Sequence, residues 1–397
     1  MSRKLATAAL ATIGVSFGFA RYGTGLFLPE FRAEFTLSLP QMGFITSAGY
    51  AGYLVGLVVV GALVARLGPR PFVVAGCLAA TVGMAMVASA AGPVQLMAGL
   101  VLAGASPGLV WAPYSDAVEA MVPADRRARV LAIIPCGTAF AVLVSGPLAL
   151  LVTWRWAWWL CTAAAVAVTL WNLRLLPARV AAPDHRPRMG GRWFFRGEAI
   201  PLYLTASGYG VVGAIYWLLA LQAVTDATGA GTATPALFWT AIGLSGTAGV
   251  ATGRAVTRLG LRRLHTLLVG CLAAAVAVLG LAPGNLAAIG LSAALYGVTF
   301  MAFSGLLAVW SHRAFPEQPS TGLSATVFCL GAGTVAGPAA ISGLAERHGL
   351  SVALLVAAAI AALMWPLRPA AAALVARGPA ADQAAPGHAS RVPHRPR

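Results

Sequence analysis

Charge is what this chain is short of. Only 10% of its 397 residues are Asp, Glu, Lys or Arg, and just 11 are acidic. A soluble domain carries about 25% charge, so a surface facing lipid is expected here rather than one facing water. Cysteine is scarce as well. Cys77, Cys136, Cys161, Cys271 and Cys329 show no paired or CxxC spacing, which argues against a disulfide framework or a thiolate metal site. The six histidines (185, 265, 312, 348, 388 and 394) stand singly in loops, helix ends and tail. No G-x4-GK[ST] loop is present to bind a nucleotide phosphate. No catalytic residue, cofactor or metal is therefore expected, and the chain does not read as an enzyme. The alternating pattern of an outer-membrane barrel is missing too, leaving helices to satisfy the backbone in lipid.

What the chain has is length of apolar run. It is 59% hydrophobic with a mean hydropathy of +0.81. A bilayer core needs about 20 apolar residues per helix. Such runs recur at 5–28, 41–64, 72–91, 94–117, 129–152, 155–176, 199–223, 235–256, 264–282, 286–310, 320–343 and 350–367. The expected fold is an all-α membrane protein of about 12 transmembrane helices in two six-helix pseudo-repeats. Arg3 and Lys4 before the first run resemble a secretory signal, but further spans follow at once, so this run reads as an uncleaved first helix.

The net charge of +16 is a topology signal. With the N-terminus inside, all of the 27 Lys and Arg except Arg21, Arg32, Arg155 and Arg347 fall on the cytoplasmic side. That bias places both termini in the cytoplasm and argues against nucleic-acid binding. The Pro/Arg/Ala-rich composition with a single lysine suggests a GC-rich bacterial genome. A multi-pass protein of a bacterial cytoplasmic membrane is expected.

Residues 177–198 turn polar and rich in Pro, Gly and Arg, which reads as a basic cytoplasmic linker. It divides an N-terminal half, 1–176, from a C-terminal half, 199–368, with a disordered cytoplasmic tail at 369–397. The halves share landmarks. Gly61-Ala-Leu-Val-Ala-Arg66-Leu-Gly68-Pro-Arg70 and Gly253-Arg-Ala-Val-Thr-Arg258-Leu-Gly260-Leu-Arg262 both read G-x4-R-L-G-x-R, 192 residues apart (61 to 253). Gly146-Pro147 and Gly337-Pro338 are 191 apart (146 to 337). Two landmarks with nearly one offset imply a repeat, and parallel six-helix repeats point to a rocking transporter.

The Gly61–Arg70 turn resembles the loop between helices two and three of the major facilitator superfamily, usually G-x-x-x-D-R-x-G-R-[KR]. Thr153-Trp-Arg-Trp156 and Pro123-Ala-Asp-Arg-Arg-Ala-Arg129 agree with it. Phe19-Ala-Arg-Tyr-Gly-Thr-Gly-Leu-Phe-Leu-Pro29, with Gly208-Tyr-Gly210, resembles the bacterial YbfB/YjiJ-like branch. The resemblance implies the major facilitator fold and a secondary transporter working by alternating access. It also implies gating roles for Gly61, Arg66, Gly68, Arg70, Arg258, Gly260 and Arg262. The loop aspartate of the family is Ala65 here and Thr257 in the second half, and Gln95 stands where proton-coupled members often have arginine. Gly146-Pro147 is similar to part of an exporter motif, which mildly favours export.

Arg21 is the most unusual residue, a charge deep in an apolar run and so a functional candidate. On an α-helix Gly14, Gly18, Arg21 and Gly25 share one face, which is expected to pack inside the bundle with Arg21 toward a substrate. The alternative is an arginine that snorkels to the interface. Aromatic residues complete the expected cavity: Tyr53, Trp111, Tyr114, Tyr209, Tyr216, Phe300 and Phe303. Each has a packing alternative. Trp154, Trp156, Trp158 and Trp159 read as an interfacial belt. Asp116 and Glu119 are candidates either for carrying a coupling proton or for pairing with the loop arginines. Pro107, Gly146, Pro147, Gly337 and Pro338 are expected helix bends. The partners expected are a small-molecule substrate, a coupling proton and the lipid bilayer, with the chain acting as a monomer. A polytopic membrane enzyme and a transporter-like sensor are the competing readings.

Overall fold

A computed structural model describes residues 2–123, 126–127, 130, 134–177, 191–197, 199–229 and 233–369. Most of the expected linker, the tail beyond 369 and much of Pro123–Arg129 lie outside the described residues. Helices in sequence order account for almost all the rest, with no strand among the described residues.

The first span is one long rod in three pieces: an α-helix Ser2–Ile13, a π-helical stretch Gly14–Tyr22 and an α-helix Gly23–Phe35. The spans that follow are Leu39–Leu67, Pro69–Ala88, Pro93–Met121, Cys136–Leu151 and Trp154–Leu175. A short helix Gly191–Phe194 then leads to Ala199–Thr228, the seventh span. The eighth is broken, Thr234–Gly246 joining Thr252–Leu259 through a tight 3-10 turn. Leu261–Leu281, Leu286–Ala314, Pro319–His348 and Leu350–Leu363 complete the order. Nine helices among the described residues are long and apolar enough to cross a membrane. The expected count of twelve depends on the fifth and twelfth, apolar but only 16 and 14 residues, and on the broken eighth.

Local signals set the boundaries. Ser38 and Gln41 form a reciprocal capping box around Pro40 in the first turn of the second span. Asn285, in a break that the sequence marks only faintly, caps the tenth span by accepting from the amides of Ala287 and Ala288 at 2.9 and 3.2 Å. The repeated G-x-R turns need glycine: Gly68 and Gly260 have φ of 73° and 77°, where a side chain is strained. Arg196 anchors the chain entering the seventh span. It pairs with Glu317 at 3.2 Å and lies over the rings of Trp193 and Phe315, and its guanidinium holds the Glu317 carboxyl below the usual carboxylate range.

Hydrophobic burial gives little drive between helices in lipid, so close backbone approach takes its place. A Cβ on Gly18 would come within 2.1 Å of the Ala141 Cβ on the fifth span. One on Gly210 would sit 2.1 Å from the Leu330 carbonyl on the eleventh.

The expected tryptophan belt is half wrong. Trp156 and Trp159 are exposed, but Trp154 and Trp158 are buried against Phe31, and the Trp154 Nε1 donates to Glu34 at 2.7 Å. Helical spacing puts these two on the inner face. Gly18→Ala is expected to lower stability by about 1–3 kcal/mol through overpacking. Gly290→Ala, with no neighbour within 4 Å, is expected to be neutral or stabilising. Thermal melts in detergent check both.

Candidate functional site at the centre of the bundle

The π-helical stretch decides where Arg21 points. Its wide turn is visible in the Gly23 amide, which donates to the carbonyl of Gly18, five residues back. Such segments are rare and frequent at functional sites. Their wider turn alters the face an α-helix would present. Gly14 and Gly18 press on Gly137 and Ala141 of the fifth span. Arg21 instead turns toward the second span. The four-residue stripe expected from α-helical spacing is therefore split, because that stretch is not α-helical.

Arg21 is 6% exposed, its guanidinium 4.0 Å from the centre of the Tyr53 ring and 5.0 Å from that of Tyr50. Tyr22 at 5.6 Å and Phe17 at 5.9 Å close the cage. Snorkelling is not what this side chain does. No ion pair joins Arg21 to a described carboxylate, and its Nε has no hydrogen-bond partner.

Two cavities of about 20 Å³ flank it, each with room for little more than one water. Both are lined by Arg21, Tyr22, Tyr50 and Trp217. The first adds Thr24, Thr46 and Leu100; the second adds Tyr209, Tyr296 and Phe300. Side chains from spans one, two and four thus meet those from seven, ten and eleven. Tyr22 is the bridge. Its ring lies 5.0 Å from both Trp217 and Phe300.

Of the expected cavity residues, Arg21, Tyr209 and Phe300 line these spaces and Tyr53 stacks on the guanidinium. Tyr209 donates to the Phe300 carbonyl at 2.7 Å. Phe303 stacks behind Tyr209 at 4.6 Å, and Tyr216 stacks behind Tyr296 at 3.7 Å. Trp111 is half-buried against Phe17 at 5.7 Å. Tyr114 lies elsewhere. Its hydroxyl donates to Asn172 and lies 3.3 Å from that of Thr12, a buried knot of spans one, four and six. Tyr22 and Tyr50 were missed, although Tyr22 adjoins Arg21 in sequence. His265, expected at a helix end, is fully buried against Phe303 and Trp310.

The expected gating residues lie at the arginine-rich end. Arg66 is exposed, as are Arg258 and Arg262. Arg70 donates to the Leu173 carbonyl at 3.2 Å, a helix-end partner rather than a carboxylate. Asp116 is half-buried in the fourth span; the side chain of Glu119 is outside the described ones. The fourth, fifth and eleventh helices run through Pro107, Pro147 and Pro338. Gly146 packs on Ala236 and Thr240, and Gly337 on Val211.

Three spans of the first set and three of the second thus meet at one buried charge. A family model described as "Uncharacterised MFS-type transporter YbfB" matches residues 13–367. The chain belongs to this family of major facilitator transporters. It is 34% identical over 101 residues to a chloramphenicol efflux pump of Mycobacterium tuberculosis, a match covering 24% of each chain. It is 28% identical over 187 residues to the putative transporter YgaY of Escherichia coli K12, covering 43% of this chain and 45% of that one. The match thus spans about a quarter to a half of these relatives' length. Among solved structures, the nucleoside transporter NupG superposes with a TM-score of 0.70 at 14% identity, covering 92% of this chain and 97% of that. A POT family transporter in complex with 5-aminolevulinic acid gives 0.75 at 12%, covering 92% and 95%. A bacterial Spinster homologue in an inward-facing state gives 0.72 at 14%, covering 94% and 98%. These likenesses show the major facilitator fold.

Because Tyr114 is committed to Asn172, Asn172→Ala in this transporter is expected to cost about 1–3 kcal/mol by stranding buried hydroxyls. A lower melting temperature with an unchanged affinity for any bound molecule is the expected pattern.

Proposed function

We propose that the chain is a secondary transporter that moves a small organic molecule across a bacterial cytoplasmic membrane by alternating access, with export the favoured direction. Residues 1–176 and 199–368 are the two rocking halves. The basic segment 177–198 joins them, and both termini and the 369–397 tail face the cytoplasm.

The observation that carries this is how the two sets of spans touch. Spans two and eleven run antiparallel and meet from the Leu39 amide on Glu346 at 3.1 Å, through Ser47 on the Val335 carbonyl at 2.7 Å, to Leu54 against Gly331. Past that point Gly61 has nothing within 4 Å, and Val58 and Leu63 are exposed. Spans five and eight repeat the pattern. Gly146 packs on Ala236 and Gly243 on Leu143, while Gly253 has nothing within 4 Å. The first and last six spans thus close at one end and part at the arginine-rich end, with Arg21 between. The two open glycines head the repeated G-x4-R-L-G-x-R turns, so the close approach they permit belongs to the opposite state. The efflux relatives support export.

Gly61→Leu and Gly253→Leu are expected to leave thermal stability unchanged yet prevent closure of the arginine-rich end. Spin labels at Arg66→Cys and Arg313→Cys, with the native cysteines replaced by alanine, report that end in lipid nanodiscs. Two distance populations are expected in the parent, the shorter one lost on adding either leucine. A single population untouched by both would sink the rocking model. Gly290→Leu, facing open space elsewhere, is the neutral control.

A further inference from the structure

We infer that the site beside Arg21, once the spans around its one-water cavity part, takes a small organic monoanion with an aromatic or apolar body, the anion being the counter-charge that no described carboxylate supplies. This rests on the transport reading above and adds the chemical class of the substrate.

Two residues that line the first cavity each hold a buried donor without a partner. One is the Nε of Arg21; the other is the Thr46 hydroxyl, from a residue 8% exposed. They belong to spans one and two, and both residues line the same space. Native buried polar groups nearly always find partners, so two orphans at one cavity mark a place for an acceptor. A guanidinium presents a rigid fork of donors matched to a carboxylate or other oxyanion, and a hydroxyl beside it supplies a further bond. The rings of Tyr53 and Tyr50 hold the cation by their faces and offer no negative charge. A single cation sets the charge at one. Apart from Thr24, the remaining side-chain walls, among them Tyr22, Leu28, Ile45, Leu100 and Trp217, are apolar or aromatic. They suit a flat or greasy body and give nothing to a hydrated inorganic ion. A cationic ligand meets repulsion here, and a neutral one leaves the guanidinium unneutralised.

The test uses three probes of one shape on the purified full chain: naphthalene-2-carboxylate, naphthalene-2-carboxamide and 2-naphthylmethylamine. Inorganic phosphate and chloramphenicol complete the set. Calorimetry and thermal shift are expected to show binding of the carboxylate alone. Arg21→Gln is expected to weaken it about 30-fold or more, and Thr46→Val about 5-fold, while Arg21→Lys falls between. Gel filtration and unliganded melting report whether each variant folds; the nearly isosteric Thr46→Val keeps the test alive should an arginine variant fail. Three results would each overturn the inference: amide or chloramphenicol binding as tightly as the carboxylate, unchanged affinity in a folded Arg21→Gln or Thr46→Val, or no binding of the carboxylate at millimolar concentration. Two spin-label populations that respond to a neutral ligand would sink this inference and leave the transport reading standing.

Discussion

Placing Arg21 in the middle of the bundle costs about 2.5–3.5 kcal/mol on insertion scales, and more where no water reaches it. Four aromatic rings stand within 6 Å and return part of that, at about 0.5–2 kcal/mol for each well-placed face. The centre of the protein follows from this unfinished compensation. The π-helical stretch turns the side chain away from the fifth span, where Gly18 leaves no room. The second span supplies tyrosines one turn apart, Tyr50 and Tyr53, on the face that receives it. Thr46, a further turn along, extends that face into the cavity. Each of these features serves a charge that no described carboxylate neutralises.

The same residues couple the site to the meeting of the two sets of helices. Tyr22 touches the guanidinium on one side and Trp217 and Phe300 on the other. A ligand that draws Arg21 toward itself therefore acts on rings that span the boundary. The tight glycine contacts that join spans two and eleven, and five and eight, cluster toward the end remote from the arginine-rich turns.

Much of this was legible from residues alone. Apolar runs marked where the helices lie because lipid demands long apolar stretches, and the offset between Gly61 and Gly253 pointed to a repeat. Arg21 stood out because charge is costly where it lies. What failed did so for physical reasons. The Gly14–Gly18–Arg21–Gly25 stripe assumed 3.6 residues per turn, and no local signal announces a π segment. Tyr114 reads like a cavity residue because a sequence shows its ring but not its partner: Asn172 lies 58 positions away, on another helix. Trp154 and Trp158 look interfacial by residue type, yet type does not say which face of a helix is covered. Arg70 looked for a carboxylate and found a carbonyl, since helix C-termini offer acceptors wherever they end.

Buried polar knots among the described residues lie within each set of six spans. Within the first six spans, Asn172 donates to the Thr12 hydroxyl at 2.8 Å and accepts from Tyr114, tying spans one, four and six. Within the last six, the Tyr216 and Ser292 hydroxyls lie 2.7 Å apart and Ser292 donates to the Ala275 carbonyl at 2.7 Å, tying seven, nine and ten. Both knots are buried, where breaking a bond strands its partners at full desolvation cost. Across the boundary, side-chain bonds among the described residues include Leu39 to Glu346, Ser47 to Val335, and Trp239 to Ser145, beside the close glycine contacts. A difference of a few kcal/mol is the range in which a ligand's binding energy can shift a conformational equilibrium. In the proposed transport cycle, rigidity inside each set would let an anion bound at Arg21 bias which end of the molecule is shut.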